Sequence, residues 1–380
     1  MTYAPPGSLL AFLAEIPDPR SRHGRRHALV AMLAHACCAV LCGCRGYAAI
    51  AQWGRDQPIE LMHRLGYRRR PASFGAFQAL FARLPADALE AALARWAEHL
   101  LGPRAGQRLR AVALDGKVAR GSGTAGGPAV HLLAALDQET GGVLAQARVP
   151  AETNEHKAAL VLLEAMVLQG RVITGDAAFC QRDLSRQVID DRGITSGRST
   201  RTSRPSWPTS RRPSSRPFPP YGRRKAAHEA DEAATLDKHG GRIERRRLTT
   251  TTMLNGYLDW PAVAQVGRLE RTVTAGAEVT VEVQYLITSV PRARAGAATL
   301  LGWARGHWGI ENRVHYVRDV TMGEDANRTK SGSGPQALAA LRNLAISKMR
   351  LDGVTNIAAG LRRNAARVRD LLVSLRILKH

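Results

Sequence analysis

The chain has 380 residues, of which 44 % are hydrophobic, so wholesale disorder is excluded and two or three domains with buried cores are expected. It carries 55 Lys and Arg residues against 32 Asp and Glu, a formal net charge of +23. A charge of this size indicates a polyanionic partner, because each basic side chain that meets a phosphate releases condensed counterions. Nucleic acid is the first candidate and an anionic membrane surface is the second.

Residues 1–105 are predicted to form a helical domain, because apolar residues recur three and four positions apart in "FGAFQALFARL" and "ALEAALARWAEHLL". The run "ALVAMLAHACCAVLCGC" is shorter than the roughly 20 residues that a bilayer requires and contains His35, which favours a buried helix over a membrane span. Its cysteines lack the paired spacing of structural zinc sites, and burial in a reduced cytoplasm explains them best. No secretory signal is expected, since the first apolar run follows no basic segment.

From residue 109 onwards the sequence predicts strands and helices. The strands "LRAVALDG", "AVHLLAALD" and "GVLAQARV" come first, and "QETGG" between the last two is typical of a hairpin turn. A helix that ends at Gly170 follows, then the short strand "RVITGD" and the helix "FCQRDLSRQVIDD". The first and fourth strands therefore each end in an aspartate, Asp115 and Asp176.

A third acid stands on a later predicted helix, "LLGWARGHWGIENRVHYVRDVT". At about 100° per residue, His307, Glu311, His315, Arg318 and Asp319 fall within roughly 120° of one helix face. Glu311 is thus the candidate partner of the two aspartates at the strand ends. The spacing of His307, Glu311 and His315 also permits a zinc site as the alternative.

Three carboxylates brought together from separate elements repel one another unless cations lie between them. Hard oxygen ligands favour Mg²⁺ or Mn²⁺, and two such ions about 3.5–4 Å apart can activate a water or a 3′-hydroxyl against a phosphodiester. An aspartate at a strand end is more often a turn residue, so only the combined order of elements and acids favours a metal site. Six neighbouring side chains are the candidate DNA contacts: Lys117, Arg120, Arg305, His307, Arg313 and Arg318.

The blocks "VALDGKVARGS", "TNEHKAALVLLEAMVLQGRVITGDAAFCQ" and "RGHWGIENRVHYVRDVTMGEDANR" resemble those of bacterial DDE transposases, in the ISAs insertion-sequence family with the H-repeat-associated proteins. The resemblance runs over nearly the whole chain. It puts the roles of the three catalytic acids on Asp115, Asp176 and Glu311. Three further acids also match the family pattern without a defined role: Asp319, Glu324 and Asp325.

This resemblance implies an α/β fold in which an RNase H-like mixed sheet forms the catalytic core (106–380), with residues 1–105 as a DNA-binding associated domain. Strand-like segments predict a β-rich insertion over about 226–290. The activity implied is cleavage and strand transfer of double-stranded DNA, at the element ends and at a target, with two Mg²⁺ or Mn²⁺ ions. A dimer or higher oligomer on DNA, no membrane partner and a cytoplasmic, nucleoid-associated location are expected. The alternatives are an inactive DNA-binding remnant and a nuclease of the same fold that never joins strands.

The stretch 194–225 departs from the family pattern, which has a strand and then a cluster of Lys, Asn and Gln. Residues 193–227 contain nine basic residues, no acids and many Ser and Pro, so they are predicted not to form a strand. A flexible basic linker that touches DNA is one explanation. Without these nine charges the net charge falls from +23 to +14, which is still clearly basic.

The other explanation for this stretch is a pair of compensating frame slips. With GC-rich codons, the nucleotides of residues 193–213 re-read one base earlier give "DHVWSVNKDQPTLVADIAAAF", which has the family's strand, polar turn and helix start. Such a slip would remove the strand beside Asp176 and loosen that ligand, so activity would be in doubt. Sequencing the gene tests the idea, since codons that cannot yield this string refute it.

Overall fold

The computed structural model describes residues 5–23, 25–101, 108–123, 127–199 and 230–379. Two compact units are present. Unit 1 comprises Met1–Gly106, Gly116–Asn154 and Gly309–His380, and unit 2 comprises Gln107–Asp115 and Glu155–Trp308. Both units therefore contain residues of the predicted catalytic domain. Most of the anomalous stretch, residues 200–225, lies outside the described residues.

Twelve α-helices and nine strands occur within these described ranges. The helices are α1 Leu9–Leu13, α2 Leu29–Leu41, α3 Tyr47–Asp56, α4 Ile59–Arg64, α5 Phe74–Arg83, α6 Ala86–Leu101, α7 Glu155–Glu164, α8 Arg182–Asp190, α9 Ala297–Gly306, α10 Gly334–Leu351, α11 Ile357–Ala366 and α12 Val368–Ser374. The strands are β1 Arg110–Ala119, β2 Val130–Asp137, β3 Val143–Val149, β4 Arg171–Gly175, β5 Ile194–Ser199, β6 Ala230–His239, β7 Arg242–Thr251, β8 Gln265–Ala275 and β9 Glu278–Thr288.

Unit 1 combines the N-terminal helices with the antiparallel pair β2 and β3 and the C-terminal helices. Every residue of α2 except Val30 is buried, as its apolar sequence predicts. His35 is accommodated there because its Nε2–H donates to the Ile50 carbonyl (2.8 Å) and its Nδ1 accepts from the Tyr67 hydroxyl (3.0 Å). Burial lowers the pKa of His35 to about 4, so the ring is neutral. None of the helices in the described ranges is long and apolar enough to cross a membrane.

Unit 2 is built on a mixed sheet. The first part of β1 pairs in parallel with β4, and β4 pairs in parallel with β5. Antiparallel pairing then continues through β9, β8, β7 and β6. Helix α9 packs Leu300 and Leu301 with Leu248 and Leu269 in one buried cluster. The predicted fold class, α/β with a mixed sheet, a β-rich part and an N-terminal helical region, is confirmed.

Two strands differ from the sequence-based prediction. Residues 194–199 were predicted to be unable to form a strand, and this is wrong, because β5 pairs with β4 on one side and β9 on the other. β6 was not predicted, since "ADEAATLDKH" is poor in the β-branched residues that favour strands. It forms because all ten of its residues pair with β7 and its acids meet basic side chains, as Glu232 meets Arg247 at 2.7 Å.

A polar network lies inside unit 1. The Glu90 carboxylate accepts hydrogen bonds from the side-chain amides of Gln146 and Gln336, and Asn343 donates to Gln146. Glu90 is only 7 % exposed, and this burial raises its pKa to about 8 although the two amides act in the opposite direction. The carboxyl is therefore largely protonated at neutral pH.

The stability of the chain should consequently fall as the pH rises from about 5 to about 8. The unfolded chain releases the Glu90 proton near its ordinary pKa of 4.5, whereas the folded chain holds it up to a pKa of about 8, so alkali favours unfolding in this window. The slope from this one group is at most about 1.4 kcal/mol per pH unit. Urea unfolding midpoints at pH 5, 6.5 and 8 measure it.

Glu90→Gln should flatten this dependence, since an amide does not titrate. Glu15→Gln is the matched control, because the Glu15 side chain is 54 % exposed. Equal pH slopes for the wild-type protein and Glu90→Gln would contradict the prediction.

Candidate functional site

Asp115 and Asp176, both in unit 2, lie just beyond the parallel pairing of β1 with β4. Ala113 pairs with Thr174 in the parallel register of β1 and β4, so continuing this register by two residues sets Asp115 beside Asp176. Neighbouring strands are about 5 Å apart, which brings the two carboxylates into one row. β1 is buried over residues 111–114, and Asp115 is the first partly exposed residue after that run. Asp176 is exposed, and its Oδ1 accepts the Ala178 backbone N–H at 2.9 Å.

His307 and Thr174 are both buried and contact each other near the end of β4. The Thr174 hydroxyl donates to the Val112 carbonyl (3.2 Å), so it accepts from the Nδ1–H of His307 (3.3 Å). Burial, followed by the charge of Arg198, lowers the pKa of His307 to about 3. His307 is therefore neutral and 4 % exposed, so it supports the end of β4 and presents no positive charge to a phosphate.

Arg198 lies on β5, the strand that pairs with the other edge of β4. Gly175 pairs with Gly197 between β4 and β5, so one further step sets Arg198 beside Asp176. Its guanidinium lies 5.1 Å from the centroid of the Trp308 ring. Burial lowers the pKa of Arg198, and the charges of Asp176, Glu282 and Asp115 act in the opposite direction. Sequence patterns do not single out this residue, since Arg198 stands in a long basic stretch.

Glu311 belongs to unit 1, where the chain is wound as a π-helix over Glu311–His315 and Val317–Thr321. Backbone bonds span five residues, as from Met322 N–H to the Val317 carbonyl at 3.0 Å. The prediction of one continuous α-helix is therefore wrong in this segment, since α9 ends at Gly306 and π-helical turns follow. The side chain of Glu311 is 61 % exposed and that of His315 is 4 % exposed. π-Helical turns occur frequently at functional sites.

Glu311 and His315 are hydrogen-bonded, with 2.9 Å between His315 Nδ1 and Glu311 Oε2. Burial lowers the pKa of His315, although Glu311 favours its protonated form, so the neutral ring donates Nδ1–H to the carboxylate. This bond fixes the direction of an otherwise exposed glutamate. The pair offers a carboxylate oxygen and an imidazole, both of which are common metal ligands.

A buried ionic network anchors the second π-helical turn. Arg318 and Arg342 both pair with Glu324, at 2.7 and 2.9 Å, and the three side chains are 0, 4 and 2 % exposed. Burial alone would raise the pKa of Glu324, but the charges of Arg318 and Arg342 outweigh it and hold the pKa below its ordinary value. Arg318 was a candidate DNA contact, and it has no exposed surface in this structure. Its role here is to hold Glu324.

Of the other candidate DNA contacts, His307 is buried as described above and Lys117 is largely covered, whereas the three arginines are exposed. Lys117 pairs with Asp319 at 2.6 Å, and its side chain is only 10 % exposed. The exposed residues are Arg313, which donates to the Gln138 carbonyl, Arg305, which pairs with Asp237, and Arg120. These three arginines can meet a phosphate without a rearrangement of the buried network.

Several known proteins and two family models are similar to this chain in sequence. The family model described as "Transposase DDE domain" matches residues 106–347, and "DDE_Tnp_1-associated" matches residues 10–97. The H repeat-associated putative transposase YhhI of Escherichia coli K12 is 25 % identical over 97 % of this chain and 97 % of its own length. The putative transposase YncI of E. coli O157:H7 is 24 % identical over 95 % of this chain and 91 % of its own length.

Among solved structures, a piggyBac transposase synaptic complex with hairpin DNA covers 98 % of this chain and 82 % of its own, at 12 % identity and a TM-score of 0.41. That likeness is too weak to support an inference about this chain. The match of the Transposase DDE domain, which spans well over half of the chain, is sufficient by itself. The chain belongs to the bacterial DDE transposases, in the group of the H repeat-associated proteins, and is an insertion-sequence transposase.

Proposed function

We propose that this chain cleaves the ends of its insertion sequence and joins them to a target, with Asp115, Asp176 and Glu311 as the ligands of two divalent ions, Mg²⁺ or Mn²⁺. The observation that carries the proposal is the parallel register of β1 and β4, whose extension by two residues from Ala113 and Thr174 pairs Asp115 with Asp176. Two ionised carboxylates so close repel each other, and a bound cation removes this repulsion.

The side chains present fit a hard divalent ion. Asp115, Glu311 and His315 each offer one ligand atom of the kind that metal ions take up, and Asp176 adds a further exposed carboxylate. A donor set dominated by carboxylate oxygens suits Mg²⁺ or Mn²⁺, whereas a zinc site would use more imidazole or thiolate. The family's use of divalent metal agrees with this chemistry.

When bound, such ions would lower the pKa of a water or a 3′-hydroxyl and stabilise the leaving oxygen of the phosphodiester. The protein's own contribution is to hold the ligands still. The strand β1 fixes Asp115, the Ala178 N–H orients Asp176, and His315 orients Glu311. Oriented ligands need little reorganisation during the reaction, which lowers its barrier.

DNA contacts in this proposal fall on the exposed arginines Arg120, Arg305 and Arg313 and on the N-terminal associated domain. The net charge of +23 supports a double-stranded DNA partner. Transposition requires two ends to be brought together, so we infer a homodimer or a larger assembly on DNA. Its place of action is then the nucleoid in the cytoplasm.

The experiment that tests the proposal is nicking of a labelled duplex that carries the inverted repeat flanking the gene. The wild-type protein should nick it with Mg²⁺ but not with EDTA, and Asp115→Asn should bind the duplex without nicking it. Binding without nicking by the wild-type protein would overturn the enzyme and favour an inactive remnant. Joining of the nicked end to a target duplex separates a transposase from a nuclease.

A further inference from the structure

We propose that Arg198 is a fixed counter-ion of Asp115 and Asp176, with which divalent ions compete, so that it raises the metal concentration this protein needs. This inference rests on the proposed function, since it concerns the same two carboxylates. It assigns Arg198 as a positioning residue that acts on the metal ligands through its charge.

The placement of Arg198 follows from strand pairing. Continuing the β4–β5 register sets Arg198 beside Asp176, and continuing the β1–β4 register sets Asp176 beside Asp115. Side chains at paired positions of parallel strands point to the same face of a sheet. One row therefore contains, in order, a carboxylate, a second carboxylate and a guanidinium.

Burial restricts where the Arg198 charge can be neutralised. Arg198 is 7 % exposed, and its Nη2 has no hydrogen-bond partner among the described residues. A buried charge without such a bond is unfavourable unless opposite charges lie nearby. The acids whose charges stabilise the guanidinium are Asp176, Glu282 and Asp115, in that order. Two of these three are the proposed metal ligands.

Trp308 holds the guanidinium in place, since the ring centroid is 5.1 Å from it. The pairing of β5 on both edges fixes the backbone of Arg198, and burial of all but 7 % of the residue restricts its side chain. Together with the Trp308 contact, this keeps the guanidinium in place when a metal ion approaches. Repulsion between a fixed unit charge and a divalent ion several ångströms away weakens metal binding by a factor of roughly ten.

The sequence offers a natural comparison at this position. In the alternative reading frame, which starts one base earlier, the codon over position 198 encodes serine, since it combines the last base of Gly197 with the first two of Arg198. If that frame is ancestral, the slip introduced a positive charge beside the metal ligands. Arg198→Ser then removes the charge and restores the residue that the strand once carried.

The experiment is a titration of the full chain with Mn²⁺ in the absence of DNA, in which isothermal calorimetry measures the dissociation constant. Arg198→Gln and Arg198→Ser should lower the dissociation constant for Mn²⁺ by roughly tenfold. Arg198→Lys keeps the charge and should retain the wild-type value. Arg247→Gln is the matched control, because Arg247 is 49 % exposed, pairs with Glu232 and lies on β7; it should leave Mn²⁺ binding unchanged.

The two proposals fail in different ways. Wild-type Mn²⁺ binding that persists in Asp115→Asn, or no binding at all, overturns the proposed function. Normal Asp115-dependent binding with an unchanged or weaker affinity in both neutral Arg198 variants overturns only the role of Arg198. An Arg198→Lys variant that behaves like the neutral variants also overturns it, because the effect would then not depend on charge.

Discussion

Asp176→Asn should reduce Mg²⁺-dependent nicking of the element end by about a thousandfold or more, while duplex binding and thermal stability stay at the wild-type level. In the proposed site the amide would remove one of the charged oxygens that hold the ion, and metal ligation contributes several kcal/mol to stabilising the transition state. The local turn should survive, because the Asn side-chain oxygen can still accept the Ala178 N–H that Asp176 accepts at 2.9 Å. Single-turnover rates and circular dichroism measure the two effects.

Asp259→Asn is the matched control. It is the same change in the same unit, on an aspartate that is 86 % exposed and pairs with Arg182 at 2.6 Å. Exposed ion pairs contribute little, so nicking and stability should both stay close to wild type. A rate for Asp176→Asn within tenfold of the wild-type rate would remove Asp176 from the metal site.

The two candidate acids of unit 2 could be identified from the sequence, because local patterns of apolar residues indicate where strands occur. Buried apolar runs end at Asp115 and at Asp176, and this pattern predicts a strand end at each. Asp176 does follow directly after β4, whereas β1 continues past Asp115 to Ala119, so the predicted end of the first strand is wrong. Whether the two acids are adjacent depends on the register between β1 and β4. Register is set by pairing between distant segments, so no local sequence pattern predicts it. The structure supplies that register.

The elements that sequence missed are those stabilised by tertiary pairing. The strand β5 has a Ser- and Gly-containing sequence with weak strand preference, and it forms because β4 and β9 occupy both of its edges. The π-helical winding around Glu311 was equally hidden, since a periodicity argument assumes 100° per residue throughout. Burial of Arg318 follows from Glu324, six residues later, and a charge count treats both as surface residues.

Glu324→Gln should lower the free energy of unfolding by about 3–5 kcal/mol, because it leaves buried arginines without their shared counter-charge. Arg318 and Arg342 are 0 and 4 % exposed, so water cannot replace the carboxylate. Since the pKa of Glu324 is held below its ordinary 4.5, its contribution is present above that value and is lost as the pH falls further. Urea unfolding at pH 7 and pH 4 measures both effects.

Further variants provide a control and test the cause of the lost stability. Glu15→Gln breaks an exposed pair with Arg95 and should cost less than about 1 kcal/mol. If the cost of Glu324→Gln comes from uncompensated charge, then combining Glu324→Met with Arg318→Met and Arg342→Met should recover much of the stability. Hydrogen exchange should nevertheless show faster opening around Glu311 in every Glu324 variant, because the ionic network fixes the π-helical turn that follows it. A loss below 1 kcal/mol for Glu324→Gln, with unchanged exchange, would mean that backbone bonds alone hold the segment of Glu311.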